Sequence, residues 1–166
     1  MNLTNFSNYH VWAGDKIRNV LKSLSEEDFT KELGDEFSFN SIRKLVLHSM
    51  GAIKFCLALD SEKDPDEFNT EYRTLQNFSK EELLNEWQKT DKEYTLLLKG
   101  KVSNEEITVP PFLGEEFTIN KLDFYLQYII HSTYHRGQII IALKKLGKET
   151  VGTDYLFYFN ELLKKK

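Results

Sequence analysis

Residues 120–146 carry the longest helical pattern in the chain, NKLDFYLQYIIHSTYHRGQIIIALKKL. Apolar and aromatic residues recur along it at spacings of three and four, and Gly147 follows as a helix stop. At about 100° per residue, one face of this helix collects both histidines and several apolar residues: Phe124, Tyr128, His131, His135, Gln138, Ile139, Ala142 and Leu146. Two histidines one turn apart are therefore predicted on the face that must be buried.

Three other segments repeat this helical spacing. The pattern predicts a helix over about 4–24, a second from Asn40 or Ser41 to about Leu59, and a third that opens at the capping-box residue Ser79. Four long amphipathic segments with little strand signal indicate an all-α, four-helix bundle. A chain of 166 residues can bury a core without disulfides or metal, so we expect a single domain over 1–166.

The segments between the long helices carry weaker signals. Ser25–Asp28 has the pattern of a capped, short extra helix, with acids in its first turn. Residues 60–78 are polar, and Asp64-Pro65-Asp66 marks a loop. Residues 101–118 favour a small hairpin or an extended loop, because two short β-rich runs flank prolines and a glycine. The apolar patch 155–159 is too short and too aromatic to assign.

Charge and cysteine content limit the classes of function. The chain has 22 Lys and Arg against 26 Asp and Glu, a formal net charge of −4, which argues against a nucleic-acid binder with a basic face. The most hydrophobic region is interrupted by charged and polar residues and does not resemble a membrane span. Cys56 is the one cysteine, and the first residues lack the pattern of a signal peptide. We expect a cytoplasmic protein without nucleic-acid or membrane partners.

A third histidine, His48, lies on the predicted second helix. It shares one stripe with buried-type residues: Leu45, Ala52, Cys56 and Leu59. Three buried imidazoles are costly without partners, and a common metal ion would satisfy them together. Three histidines and an open position are typical of catalytic zinc, and imidazole also suits nickel and iron. The alternative is that His131 and His135 pair by chance and that His48 is a hydrogen-bonded core residue.

Residues near these histidines allow more than one interpretation. Gln138 either holds a ligand imidazole or a bound water, or is a partly exposed polar residue. Gly137 is costly inside a helix, which indicates close approach of another helix within the bundle or across a dimer. Arg136 fits a salt bridge or an interface better than catalysis. His10 on the first helix is a possible fourth ligand, a residue that contacts a ligand rather than the metal, or a histidine at the solvent edge. Cys56 fits a buried structural thiol.

The motif at 131–139, HSTYHRGQI, resembles the H-x-x-x-H-R-G-Q-I signature of the DinB family, part of the DinB/YfiT-like superfamily of bacterial helical bundles. Further similarities lie at 9–13 (YHVWA), at 38–42 (SFNSI) leading into Leu47-His48, and at 153–156 (TDYL). The resemblance spans nearly the whole chain. It departs from many relatives at His10, where they have asparagine, so the role of this residue stays open.

The resemblance implies an up-down-down-up bundle, often a homodimer, with a divalent ion such as zinc or nickel. Position by position, the implied ligands are His48, His131 and His135. Members of the family differ in activity, and some use low-molecular-weight thiols such as bacillithiol in transferase or isomerase reactions.

The first functional hypothesis is a thiol-dependent transferase acting on a small-molecule substrate, in which the metal activates a thiolate. Gln138 or Tyr134 would orient the substrate. The same site could instead activate water in a hydrolase. A third hypothesis is a non-catalytic, metal-binding dimer, which a fourth protein ligand such as His10 would favour.

Overall fold

The computed structural model describes residues 3–100, 105–111 and 114–164. Most of them are helical. The helices are α1 (Thr4–Lys22), α2 (Glu26–Thr30), α3 (Ile42–Asp60), α4 (Pro65–Thr74), α5 (Lys80–Lys99), α6 (Lys121–Lys145) and α7 (Tyr155–Leu163), and a short 3-10 turn covers Leu75–Asn77. The strands β1 (Glu106–Val109) and β2 (Phe117–Asn120) lie between α5 and α6. The four long helices are α1, α3, α5 and α6, as the sequence predicts.

Contacts between helices fix the direction of each one in the bundle. Both α1 and α3 pack against α5 and α6. Lys80 at the start of α5 bonds the carbonyl of Leu24, just after the end of α1, so these two helices are antiparallel. Arg43 near the start of α3 donates to the carbonyl of Phe78, just before α5, at 2.7 Å. Helices α3 and α5 are therefore parallel.

The last long helix completes the pattern. Tyr125 near the start of α6 bonds Asp60 at the end of α3, while His131 meets His48 one-third of the way along α3. Helix α6 is thus antiparallel to α3. The order α1, α3, α5, α6 is up-down-down-up, and the predicted fold class is confirmed.

Side-chain caps explain where the long helices begin and end. Ser41 accepts a bond from the backbone N–H of Lys44 at the start of α3. Ser79 and Glu82 form a complete capping box at the start of α5, as the sequence predicts. Gly147 follows α6 with a φ of +68°, a conformation that glycine adopts without the cost of a Cβ.

The predicted loop at 60–78 is wrong, because it contains α4 and the 3-10 turn. Asp64 caps α4 through the N–H groups of the next turn, and Pro65 occupies the first helical position, where its missing N–H costs nothing. Phe68 packs edge-on against Phe55 of α3, with ring centroids 5.8 Å apart. The pattern Asp-Pro is a helix start here as well as a turn signal.

The hairpin expected within 101–118 forms, although residues 101–104 and 112–113 lie outside the described residues. Strands β1 and β2 are antiparallel, and Ile107 pairs with Ile119. The unassigned patch 155–159 forms the first half of α7, which packs on α1. Along the part of the chain that the structure describes, no helix is long and apolar enough to cross a membrane.

Candidate metal centre

Helices α3 and α6 bring three imidazoles together. The Nε2 atom of His131 lies 3.1 Å from Nε2 of His48 and 3.1 Å from Nε2 of His135. All three nitrogens lie within 4.8 Å of one another. His135 is buried, whereas His48 and His131 are half-buried. The expected convergence of two helices on one point is therefore present, with one side open.

The spacing of these nitrogens suits a single ion. Zinc binds imidazole nitrogen at about 2.0–2.1 Å, and two such ligands at a tetrahedral angle lie about 3.3 Å apart. The two separations that involve His131, each 3.1 Å, are close to this value. The three histidines could hold a metal ion together.

The surroundings keep the three rings in the form that binds metal. Burial, together with smaller contributions from the neighbouring His135 and His131, lowers the pKa of His48 to about 4. Burial and His135 lower the pKa of His131 to about 4. Burial also lowers the pKa of His135, against an opposing hydrogen bond from Gln138. At neutral pH each ring is therefore uncharged and carries one free lone pair.

Gln138 orients the ring of His135. Its Oε1 lies 3.0 Å from Nδ1 of His135, so this nitrogen carries the proton and Nε2 presents its lone pair to the other two rings. The amide nitrogen of Gln138 donates to Ser38 Oγ at 2.8 Å and to the Tyr134 hydroxyl at 3.0 Å. Gln138 thus holds an imidazole, the first of the two placements considered from sequence. Ser38, in the loop before α3, belongs to the stretch 38–42 that resembles the family, but its contact with Gln138 was not predicted from the sequence.

Aromatic rings border the open side of the triad. The ring of Phe39 stacks on His48, with centroids 4.2 Å apart and planes 28° apart. Tyr134 lies edge-on to His135 at 5.0 Å and is exposed. Phe39 also approaches His135 to 6.1 Å. Phe39 and Tyr134 therefore both lie against rings of the triad.

His10 is buried and is not grouped with these three histidines, so two of the three roles left open for it, a fourth ligand and a solvent-edge histidine, do not agree with the structure. Its Nε2 lies 2.9 Å from Oδ1 of Asp91, and Arg18 bonds the other oxygen of the same carboxylate. All three side chains are buried. Burial raises the pKa of Asp91, but His10 and Arg18 outweigh it, and the net pKa is lowered. Among the described residues, the grouped ligands are the three other histidines.

For Gly137 in the signature motif, the described part of the structure excludes close approach of a helix within the bundle, while close approach across a dimer stays a prediction. Within the described residues, nothing lies within 4 Å of the position that a Cβ would take at Gly137, so no helix of the same chain approaches it. Arg136 is buried, donates to Thr133 Oγ1 at 2.7 Å and lies over the Tyr9 ring at 5.5 Å. It has no ion-pair partner in the described part of the chain, so the salt-bridge interpretation is wrong. Cys56 is fully buried, as predicted, and burial raises its thiol pKa.

The topology and the triad define a class: an up-down-down-up helical bundle with a candidate three-histidine metal centre. The sequence model of the DinB family matches residues 1–162, and the chain belongs to this family. It is 28% identical over 167 residues to Protein DinB of Bacillus subtilis (strain 168), covering 90% of this chain and 89% of that protein.

A solved structure has the same fold. The crystal structure assigned to the DinB family from Exiguobacterium sibiricum 255-15 superposes with a TM-score of 0.71 at 18% sequence identity. The similarity covers 93% of this chain and 99% of that one. It therefore extends over the bundle as a whole.

Proposed function

We propose that the protein binds one divalent ion, zinc or nickel, through His48, His131 and His135. The observation that carries this proposal is the convergence of three uncharged Nε2 atoms within 4.8 Å. Imidazole is a ligand that both metals accept. Three protein ligands leave one position open, which is typical of catalytic rather than structural zinc.

We further propose that the bound ion serves a thiol-dependent transferase acting on a small-molecule substrate. A divalent ion at this position would lower the pKa of a bound thiol, or of a bound water in the alternative hydrolase. The thiol sulfur would form a bond to an electrophilic carbon, the leaving group would depart with its electron pair, and the thiol proton would pass to solvent. Cys56 cannot serve as this thiol because it is buried with a raised pKa. A low-molecular-weight thiol of the bacillithiol type would supply it in the reducing cytoplasm.

The chain's own residues would shape access and orientation. Gln138 holds His135 in one tautomer, and the Tyr134 hydroxyl lies 3.0 Å from the Gln138 amide at the open side. Phe39 covers one face of His48, which leaves approach from the side of Tyr134 and Ser38. This opening suits a small molecule with an apolar portion that stacks on the rings.

Thiol transfer to an activated aryl chloride tests the proposal. With bacillithiol as the thiol, the metal-loaded protein should raise the rate above the uncatalysed background, because a larger share of the thiol is deprotonated. Chelator-stripped protein and His131→Ala should return the rate to the background. Absorbance of the aryl thioether measures it, and cysteine and glutathione serve as comparison thiols.

The other two hypotheses give different results in the same assay. Metal-dependent ester hydrolysis without any thiol effect would support the hydrolase. Stoichiometric metal with no turnover in either assay would support a non-catalytic metal-binding bundle. Either result contradicts the transferase while leaving the metal site in place.

Gln138→Ala should weaken metal affinity about 10- to 100-fold, because the ring of His135 loses the partner that fixes its tautomer. Competition with a chromophoric chelator measures this affinity. Gln138→Glu, which keeps an acceptor oxygen, should retain most of it. The control is Gln127→Ala, an exposed glutamine on the same helix. Unchanged affinity in Gln138→Ala would show that the hydrogen bond to His135 has no role in binding.

A further inference from the structure

Two hydroxyl groups and one amide form a closed hydrogen-bonded triangle beside the three histidines. The amide nitrogen of Gln138 lies 2.8 Å from Ser38 Oγ and 3.0 Å from the Tyr134 hydroxyl oxygen. The third side of the triangle is the contact between the Ser38 and Tyr134 hydroxyls, at 3.2 Å. Both Ser38 and Tyr134 are exposed. We call their two hydroxyl groups the hydroxyl pair.

A count of hydrogens shows what the triangle leaves available. An amide nitrogen has two hydrogens and no lone pair, so Gln138 donates one hydrogen to each hydroxyl oxygen. Each hydroxyl has one hydrogen, and the contact between Ser38 and Tyr134 uses only one of the two. Among the described residues, neither hydroxyl has another hydrogen-bond acceptor. The hydroxyl pair therefore has one hydrogen left for a molecule outside the triangle.

The rest of the triangle strengthens this donor. The oxygen that receives the bond between Ser38 and Tyr134 also accepts from Gln138, so both of its lone pairs are occupied. Hydrogen bonds that end on a hydroxyl oxygen polarise its own O–H bond and make it a better donor. The amide is itself fixed, because its Oε1 lies 3.0 Å from Nδ1 of His135. The remaining hydrogen is thus a polarised donor next to the triad.

The loop between α2 and α3 positions Ser38 without help from a ligand. The backbone N–H of Leu33 donates to the carbonyl of Asn40 at 2.9 Å, which closes this loop. Phe37, the residue before Ser38, is buried in the core. Phe39, the residue after it, stacks on a ring of the triad with centroids 4.2 Å apart. The loop therefore fixes a hydroxyl donor and an aromatic ring beside the same three histidines.

We propose that the hydroxyl pair binds the carbonyl oxygen of an electrophilic substrate whose reacting carbon lies next to that carbonyl. This inference rests on the proposed thiol transferase and names the class of its electrophile. An α-chloro ketone is an example: the thiol sulfur bonds to the carbon that carries the chloride, the chloride leaves with its electron pair, and the thiol proton passes to solvent. The carbonyl oxygen gains negative charge in the transition state. A hydroxyl hydrogen directed at this oxygen stabilises the charge, and the hydroxyl keeps its hydrogen throughout.

The place of the hydroxyl pair relative to the triad suits this role. One amide group separates the pair from Nδ1 of His135, whose Nε2 lies 3.1 Å from Nε2 of His131. The Tyr134 ring lies edge-on to the His135 ring at 5.0 Å, and the Phe39 ring lies 6.1 Å from it. The donor, the ring of Phe39 and the histidines are therefore neighbours. This combination suits a small substrate with a carbonyl group and an apolar portion.

The preference between two chlorides tests the proposal. Phenacyl chloride has a carbonyl next to its reacting carbon, whereas benzyl chloride has the same phenyl ring and leaving group without the carbonyl. With bacillithiol and metal-loaded protein, the ratio of kcat/KM for phenacyl chloride to kcat/KM for benzyl chloride should fall about ten-fold in Ser38→Ala/Tyr134→Phe. Each single variant keeps one hydroxyl whose hydrogen has no acceptor in the triangle, so its ratio should fall less. Chromatography of the thioether products measures both rates, and elemental analysis checks that each variant carries metal.

The ratio separates substrate binding from a structural role. If the hydroxyl pair only holds Gln138, both rates should fall together and the ratio should not change, which would overturn the proposal. Ser23→Ala is the control, because Ser23 is an exposed serine that follows α1, and it should keep the wild-type ratio. A wild type without metal-dependent turnover of either chloride would contradict the transferase itself.

The carbonyl stretch of acetophenone gives a readout that needs no turnover. Acetophenone has the phenyl ring and the carbonyl of phenacyl chloride but no leaving group. A hydrogen bond to the carbonyl oxygen lowers the stretching frequency, so the infrared band of isotope-labelled acetophenone should lie lower on the wild type than on the double variant. Equal frequencies on both proteins would overturn the proposal. A lowered frequency without any turnover would support the carbonyl site and contradict the transferase.

Discussion

Alanine in place of His131 should reduce bound metal from about one ion per chain to none. His131 is the central ring of the triad, since its Nε2 lies 3.1 Å from the Nε2 atoms of both His48 and His135. The variant would keep the nitrogens of His48 on α3 and His135 on α6 but would lack the third ligand, which lies between them. The measurement is elemental analysis of protein purified without a metal-affinity tag.

The expected loss of affinity is large. Structural zinc sites bind with about 10–16 kcal/mol, so removing one of three protein ligands should cost several kcal/mol, or on the order of a thousand-fold. Metal should also stop raising the melting temperature of the variant, because a ligand at free concentration c stabilises the native state by RT ln(1 + c/Kd), which vanishes when Kd far exceeds the metal concentration. His48→Ala and His135→Ala should behave in the same way.

The fourth histidine supplies the control. His10→Asn changes an imidazole that bonds Asp91 and lies outside the triad. It should keep a full complement of metal in the folded protein. If His48→Ala and His131→Ala both retain one ion per chain, the triad is not the metal site.

Helix periodicity predicted the bundle and made His48, His131 and His135 candidates for one shared site, and the resemblance to the DinB family favoured this interpretation over a chance pair. The spacing of His131 and His135 places both on one helix face, and His48 lies on the apolar stripe of α3, whose partner in the bundle is α6. Local sequence determines which face a side chain occupies. Because the buried faces of a four-helix bundle pack against one another, three histidines on such faces are expected to lie close together inside the bundle.

What local sequence could not show depends on contacts between distant segments. His10 was assigned to a helix face correctly, but its partner Asp91 is 81 residues away. A signal for Asp91 existed: it is a charged residue on the apolar stripe of α5, between the buried Trp87 and Tyr94. A charge in that position requires a buried partner, although the sequence does not say which one. The surroundings of Gly137 and the partners of Arg136 likewise required the assembled bundle.

Asp91→Asn should cost about 3–5 kcal/mol of unfolding free energy, a large share of the stability of an ordinary domain. The carboxylate is fully buried and bonds two side chains of α1, His10 and Arg18. Asparagine has nearly the same shape but no charge, so the buried guanidinium of Arg18 would lose its compensating partner. Urea unfolding followed by circular dichroism measures the loss of unfolding free energy. In a separate thermal unfolding experiment, the midpoint temperature should fall by roughly 10 °C.

Asp15→Asn is a matched control because Asp15 also bonds Arg18, at 2.8 Å, from a side chain that is 43% exposed. It should cost less than about 1 kcal/mol, since water screens exposed ion pairs. The double variant Arg18→Met/Asp91→Leu should be less destabilised than Asp91→Asn, because both buried charges disappear together. A similar small loss in Asp15→Asn and Asp91→Asn would show that the buried carboxylate does not hold α1 to α5. A loss confined to Asp91→Asn and relieved in the double variant would identify the unpaired charge as the cause.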